Sequence, residues 1–305
     1  MSILDLLAPK DLARVARLQV FAREVVEGSC SGRHRSPQKG FSVDFKEHRQ
    51  YVRGDELRNI DWKVFGKSDK LFVRQYEEET NLRCYLMVDT SGSMAYAGSE
   101  PGVAGDDATS KFDYAVRLSA CLAFMMLGQQ DAVGLVTFDD RPRKVLPASG
   151  RASHLQAVLA ALVSQSPGRE TDLGQSLRQA AGTLKRRGLV VVLSDAMGDV
   201  TSLGRSLAQL RRGGHDLVFF QILHPDEQSF PFKGRVRFRN LEIHGDEQTV
   251  ETGSLRQLYL DRLAEHQVAL RRVCRAHRVD LVTMTTDRPF IDGLHEYVSV
   301  RRRPR

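Results

Sequence analysis

The sequence predicts an α/β protein with a Rossmann-like, doubly wound and mostly parallel sheet that is flanked by helices. Two apolar runs, at 82–88 and 189–194, end in the carboxylates Asp89 and Asp195. Short apolar runs bounded by turn residues are typical of buried strands in parallel sheets, which bind ligands outside their carboxyl ends. Helical patterns alternate with such runs along the chain, and this alternation favours β-α-β units.

The chain divides into two predicted regions. The first covers residues 1–80 and begins with an amphipathic helix near 9–27, which follows Pro9 and is expected to pack on the main body. The second covers residues 81–305 and contains the sheet, with an insertion at about 225–253 between its last two strands.

The remaining elements of the second region follow from its apolar periodicity. Apolar runs predict further strands at 131–138, 216–224 and 279–284, and residues 139–147 predict a turn into a short edge strand. Helical patterns predict helices at about 112–127, 152–164, 173–187, 202–212 and 255–277. Within the insertion, residues 235–243 alternate as an exposed strand does.

Composition and charge are typical of a soluble globular protein and argue against a nucleic-acid-binding protein. The 305 residues are 41% hydrophobic and 27% charged, which is ordinary for a soluble globular protein. The net charge of +7 comes from arginines that are spread along the chain among acidic neighbours, and this spread argues against a dedicated nucleic-acid surface.

Cysteine usage and hydropathy predict a cytoplasmic protein. Four scattered cysteines lack C-x-x-C spacing and are expected to be free thiols, mostly buried. No apolar stretch is long enough to cross a bilayer.

Three oxygen-bearing side chains follow the first apolar run. Asp89, Ser91 and Ser93 supply one charged and two neutral oxygens, a set that suits a hard cation such as Mg²⁺ or Mn²⁺. Gly92 is expected to allow a tight turn between the two serines. Because Asp and Ser are also common turn and cap residues, this pattern alone leaves a purely structural role open.

This D-x-S-x-S pattern resembles the metal-ion-dependent adhesion site of von Willebrand factor A domains. The resemblance implies that Thr171, which precedes a predicted helix, and Asp195, which follows a predicted strand, complete the metal site. Asp139 and Asp140 are a further pair near a strand end. They are better interpreted as turn residues than as second ligands.

A longer segment is similar to the bacterial family of domain of unknown function 58. The similarity rests on residues 51–62 and 70–79, directly before the A-like domain, and extends over nearly the whole chain; Glu56 replaces a second aspartate found in many relatives. The charges of this segment predict either pairs that pin it to the A-like domain or a partner-binding surface. Its tryptophan, Trp62, is expected to be largely buried.

These resemblances imply a non-enzymatic, metal-dependent protein–protein interaction module that contacts an acidic side chain of its partner. The family association implies that the partner is a MoxR-type AAA+ ATPase or its cargo. The alternatives are a metal-dependent hydrolase and a nucleic-acid-binding protein. A hydrolase is disfavoured because the sequence has no G-x-S-x-G elbow and no histidine or cysteine within a few residues of the metal segments.

Overall fold

The computed structural model describes residues 43–51, 62–68, 70–78, 82–98, 110–168, 172–243 and 245–289. They belong to two compact units, one within residues 32–82 and one that contains residues 83–305. The helix predicted near 9–27 lies outside the described residues.

The described residues of the smaller unit form two antiparallel strands and one short helix. Strand β1 (Val43–Gln50) pairs with β2 (Phe72–Glu78), and helix α1 (Trp62–Ser68) lies between them in sequence. Trp62 is 61% exposed, so the expectation that it is largely buried is wrong. Its ring contacts Phe65 of the same short helix edge-on, at 6.1 Å between centroids. Most of the charged residues that are predicted to pin this segment to the A-like domain lie at 53–61, outside the described residues.

The larger unit contains eight strands, six α-helices and one short 3-10 helix (Gly92–Ala95) among its described residues. The strands are β3 (Arg83–Asp89), β4 (Ala132–Phe138), β5 (Pro142–Ser149), β6 (Leu189–Ser194), β7 (Asp216–Leu223), β8 (Arg235–Arg239), β9 (Glu247–Glu251) and β10 (Asp280–Thr285). The α-helices are α2 (Lys111–Gly128), α3 (His154–Val163), α4 (Leu173–Ala181), α5 (Val200–Arg212), α6 (Pro225–Ser229) and α7 (Thr252–Ala276).

Six of these strands form the central sheet, in the order β10-β7-β6-β3-β4-β5. All neighbours are parallel except β5, which runs antiparallel to β4 at one edge. The chain leaves β3 for β4 and β5 on one side and then returns to β6 on the other. The strand order therefore reverses between β3 and β6. The prediction of a doubly wound, mostly parallel sheet is confirmed.

The two faces of the sheet carry separate hydrophobic cores. Successive residues of β3 point to opposite faces, as the twofold period of a strand requires. One core joins β3 to α2 and α3 through Leu86, Val88, Leu118 and Leu159. The other joins β3 to α4 and α5 through Met87, Leu177 and Leu207. Helices on both faces bury the sheet, so its functional groups are confined to the strand ends.

The insertion forms a short helix and a hairpin. Helix α6 follows β7, and β8 pairs antiparallel with β9. The strand predicted at 235–243 ends at Arg239, because the Asn240 side chain accepts hydrogen bonds from the backbone N–H groups of Glu242 and Ile243, at 2.9 and 3.1 Å. Such a side-chain turn stops the ladder.

Helix α4 is shorter than the predicted 173–187 and ends at Ala181. The hydroxyl of Thr183 donates to the carbonyl of Ala180, so a local side-chain bond replaces the next helical turn.

Three cysteines, Cys84, Cys121 and Cys274, are buried free thiols as predicted. No helix within the described ranges is long and apolar enough to span a bilayer.

Candidate functional site

The two predicted aspartate ligands lie at the point where the strand order reverses. Asp89 ends β3 and Asp195 directly follows β6, and the two residues are only 2% and 3% exposed. The hydroxyl of Ser194 donates to Asp89 Oδ2 at 2.6 Å and so links the two strand ends. Open α/β sheets bind ligands in the crevice at such a switch point. The fold thus brings Asp89 and Asp195 together where a ligand is expected.

Both predicted serine ligands lie beside Asp89. The backbone N–H of Ser91 donates to Asp89 Oδ1 at 2.8 Å, and the hydroxyl oxygens of Ser91 and Ser93 are 3.1 Å apart. Ser91 is buried and Ser93 is half-buried. Asp89, Ser91 and Ser93 therefore form one cluster of oxygens. The cluster is partly accessible to solvent at Ser93.

The fifth predicted ligand, Thr171, lies outside the described residues. Its neighbours in sequence are placed at the same edge of the sheet. The N–H of Gly168 donates to the carbonyl of Thr90 at 3.3 Å. Asp172 caps α4, because its side chain accepts from the N–H of Gln175 at 2.9 Å. The placement of Thr171 in the site stays a prediction.

Gly92 is required for a different reason from the one predicted. Its φ is not among the positive values, so the turn does not depend on glycine. A Cβ at this position would lie 2.7 Å from the carbonyl carbon of Leu241 and 2.9 Å from Cα of Glu242. Glycine therefore allows the tip of the β8–β9 hairpin to approach the backbone between the two serines.

A buried lysine that the sequence analysis did not identify is part of the site. Lys111 Nζ donates to Asp195 Oδ2 at 2.7 Å and to Glu227 Oε1 at 2.6 Å, and the residue is fully buried. Burial lowers its pKa, but the charges of Asp195 and Glu227 outweigh burial, so the pKa is raised and the ammonium is retained.

Two sequence signals could have revealed this pair. Lys111 is a cation in the first turn of a helix whose other residues are mostly apolar. Glu227 follows β7, whose carboxyl end lies at the same edge as those of β3 and β6. A carboxylate after a third parallel strand is thus another candidate for the site.

The first part of the insertion packs on the loop that follows Ser93. The hydroxyl of Tyr96 donates to Asp226 Oδ2 at 2.8 Å. The Tyr96 ring contacts the His224 ring edge-on, with 5.0 Å between centroids. Together with Glu227 and Leu241, these contacts place the insertion directly against the predicted metal loop.

Two histidines that are distant in sequence also approach the site. His224 Nδ1 accepts from the N–H of Asp226 at 3.1 Å, and His266 Nε2 lies 2.7 Å from the carbonyl oxygen of Ala196. Because the spacing of His224, His244 and His266 in the sequence does not suit metal ligation, polar contacts are expected for them, and His224 and His266 make such contacts. His244 lies outside the described residues.

The site carries more negative than positive charge among the groups just described. Asp89, Asp195 and Glu227 are three carboxylates, whereas Lys111 is one cation. Burial, and then the charge of Asp195, raises the pKa of Asp89 to about 7. Buried charges are costly unless they are paired, so this surplus favours an added cation.

The donor set fits a hard divalent cation. Every predicted ligand offers oxygen, which is what Mg²⁺ and Mn²⁺ prefer. Within the described ranges, no three His, Cys, Asp or Glu residues form a metal-binding group. A metal site here therefore depends on serine and threonine hydroxyls in addition to the two aspartates.

Asp139 and Asp140 serve the turn after β4, as predicted. Asp139 Oδ1 accepts from the N–H of Arg141 at 3.4 Å, and Arg143 Nε lies 2.8 Å from Asp139 Oδ2. The side chain of Asp140 is half exposed. Arg143 thus forms an ion pair with the buried carboxylate of Asp139 at this turn.

Comparison of sequences identifies a family and related proteins. Residues 47–269 match the family described as "Protein of unknown function DUF58". Uncharacterized proteins of Mycobacterium tuberculosis and Mycobacterium bovis are each 25% identical over 302 residues, which cover 98% of this chain and 92% of each relative.

The solved structures that are similar to this chain include three proteins with low sequence identity to it. A conserved hypothetical protein BatB from Bacteroides thetaiotaomicron has a TM-score of 0.46 and 14% identity, and covers 72% of this chain and 98% of its own. An aerotolerance-related membrane protein from Bacteroides fragilis scores 0.47 at 16% identity, with coverages of 72% and 99%. The SpRpn10 VWA domain scores 0.38 at 12% identity, with coverages of 70% and 94%.

Proposed function

The chain belongs to the DUF58 family, and we propose that it is a non-enzymatic protein–protein interaction module that depends on Mg²⁺ or Mn²⁺. The observation that carries the proposal is the buried cluster at the switch point, where Asp89 and Asp195 lie beside serine hydroxyls. Its surplus negative charge and its oxygen donors both favour a divalent cation.

In this proposal, Asp89, Ser91, Ser93, Thr171 and Asp195 hold the cation directly or through water. The cation supplies a binding position for a carboxylate of the partner, and neutral hydroxyl ligands leave it attractive to that carboxylate. Lys111 orients Asp195 by binding its Oδ2, and Ser194 orients Asp89 in the same way. These two residues fix the carboxylates before the cation binds.

The proposed partner is a MoxR-type AAA+ ATPase or the protein on which it acts. This part of the proposal rests on the family resemblance. A direct test is capture of partners from native cells on the immobilised protein, once in Mg²⁺ and once in chelator. We expect an AAA+ ATPase to be captured in Mg²⁺ only, and Asp89→Asn to abolish the capture. Capture of the same proteins in chelator and by Asp89→Asn would refute metal-dependent recognition.

Mg²⁺ is expected to stabilise the folded protein. At ten times its dissociation constant, a ligand that binds only the folded state adds about 1.4 kcal/mol to the free energy of unfolding. Thermal unfolding over a Mg²⁺ titration measures this effect. Asp89→Asn should remove it, whereas Asp216→Asn, at an exposed position on β7, should not. Equal melting temperatures in chelator and in saturating Mg²⁺ would contradict the proposed site.

The stabilisation by Mg²⁺ is expected to be larger at pH 8 than at pH 6. The folded-state pKa of Asp89 is raised from 3.8 to about 7, so without metal the folded protein binds this proton more tightly than the unfolded chain does. That contribution to stability is complete below pH 3.8 and is lost as the pH rises through about 7. A proton and a cation compete for the same carboxylate. Mg²⁺ titrations at the two pH values measure the difference, and an equal shift at both would contradict this role of Asp89.

A further inference from the structure

We propose that the tip of the β8–β9 hairpin (residues 240–243) and Met197 form the apolar part of the surface that receives the partner beside the metal loop. The partner segment that fits this surface carries an Asp or Glu with a large apolar side chain next to it. This inference rests on the proposed function and adds the kind of segment that the site recognises.

The hairpin tip is held directly against the metal loop. Leu241 and Glu242 contact the backbone at Gly92, between the two serines, so closely that no side chain fits there. Within the tip, the Asn240 side chain accepts hydrogen bonds from the N–H groups of Glu242 and Ile243, and the Asn240 N–H donates to the carbonyl of Asp246 at 2.8 Å. These bonds define the conformation of the tip next to the site.

Apolar side chains at the tip are nevertheless directed to solvent. Leu241 is 40% exposed and Ile243 is 47% exposed. The proposed surface includes one more exposed apolar residue, Met197, which belongs to the loop after β6. It is 38% exposed, and its N–H donates to Asp195 Oδ1 at 3.2 Å. Residues with large exposed apolar side chains therefore lie next to the cluster of oxygens, Leu241 at Gly92 and Met197 at Asp195.

The net charge of the site determines whether an acidic segment of a partner can bind to this surface. Without a divalent cation, the three carboxylates exceed the single ammonium of Lys111, so an acidic segment is repelled. A bound divalent cation neutralises this surplus of negative charge, and it offers a coordination position to a carboxylate at the open side of the serines. Apolar side chains around a charged contact exclude water from it and contribute their own buried area. The surface therefore matches an acidic residue with an apolar neighbour.

The test is selection of peptides from a displayed random library on the immobilised protein in Mg²⁺, with elution by chelator. Three proteins are compared: wild type, the tip variant Leu241→Ser/Ile243→Ser, and the control variant Leu258→Ser/Val268→Ser. The control residues are 55% and 62% exposed on α7. The most enriched wild-type peptide is then synthesised, and its affinity for each protein is measured by calorimetry.

We expect wild-type peptides to contain Asp or Glu beside a large apolar residue. The tip variant should bind the synthesised peptide about tenfold more weakly, while the control variant binds it like wild type. The rise in melting temperature caused by Mg²⁺ should be the same in all three proteins, because none of these substitutions removes a metal ligand.

Different failures separate the two proposals. If peptides require Mg²⁺ and an acidic residue but bind the tip variant as tightly as wild type, the inference about the tip is wrong and the proposed function stands. If bound peptides resist chelator and need no acidic residue, the proposed function is wrong. Absence of any enrichment in Mg²⁺ would overturn both.

Discussion

Lys111→Met is expected to lower the free energy of unfolding by about 3 to 5 kcal/mol. The substitution removes the cation that pairs with Asp195 and Glu227, and a buried charge left without its partner has a cost of that size. Methionine fills a similar volume, so the effect reports the lost charge more than a cavity. Urea denaturation followed by circular dichroism measures it.

Two comparisons test this explanation. Lys111→Met combined with Asp195→Asn should be more stable than Lys111→Met alone, because the double variant no longer buries the unpaired Asp195 charge. Asp216→Asn breaks the exposed pair with Arg211 and should cost less than about 1 kcal/mol. If Lys111→Met were as stable as wild type, the ion pair would not be part of the folded state in solution.

Gly174→Ala is expected to lower the free energy of unfolding by about 1 to 3 kcal/mol through overpacking. A Cβ at Gly174 would lie 2.5 Å from the carbonyl carbon of Ser202 and 2.6 Å from its Cβ, so α4 and α5 would have to separate. The hydroxyl of Ser206 also donates to the carbonyl of Gly174 at 2.5 Å, and this bond would be disturbed. Urea denaturation again measures the change.

Gly253→Ala is the matched control, since nothing lies within 4 Å of a Cβ at this position near the start of α7. Alanine favours helix over glycine by up to about 1 kcal/mol, so this variant should be unchanged or slightly more stable. Equal destabilisation of the two variants would mean that close packing at Gly174 is not the cause.

Sequence patterns predict the sheet well because its strands are buried on both faces. Such strands are continuous apolar runs, and the runs at 82–88 and 189–194 end where β3 and β6 end, next to Asp89 and Asp195. A parallel sheet brings its carboxyl ends to one edge, so the sequence places the two aspartates at the same edge, and the resemblance to A domains implies that they share one site. The strand order adds that they meet at the switch point.

Other features depend on contacts that are remote in sequence and leave no periodic signal. Lys111 is separated by 84 residues from Asp195 and by 116 from Glu227. The φ of Gly92 is not positive, so its backbone conformation does not require glycine. Glycine is necessary there only because the backbone of Leu241 packs against it. Burial of Trp62 is predicted from its residue type and its place in the family segment, but a tryptophan on a short helix is buried only if another element covers it.

The residues of the antiparallel edge strand β5 hinder aggregation through intermolecular β-pairing. Two of its residues, Pro142 and Pro147, have no N–H to offer to a strand of another molecule, and Lys144 adds a charge between them. A strand that lacks donors at two of its positions is a poor template for intermolecular β-pairing. This edge of the sheet is therefore protected against self-association even though Val145 is 41% exposed on it.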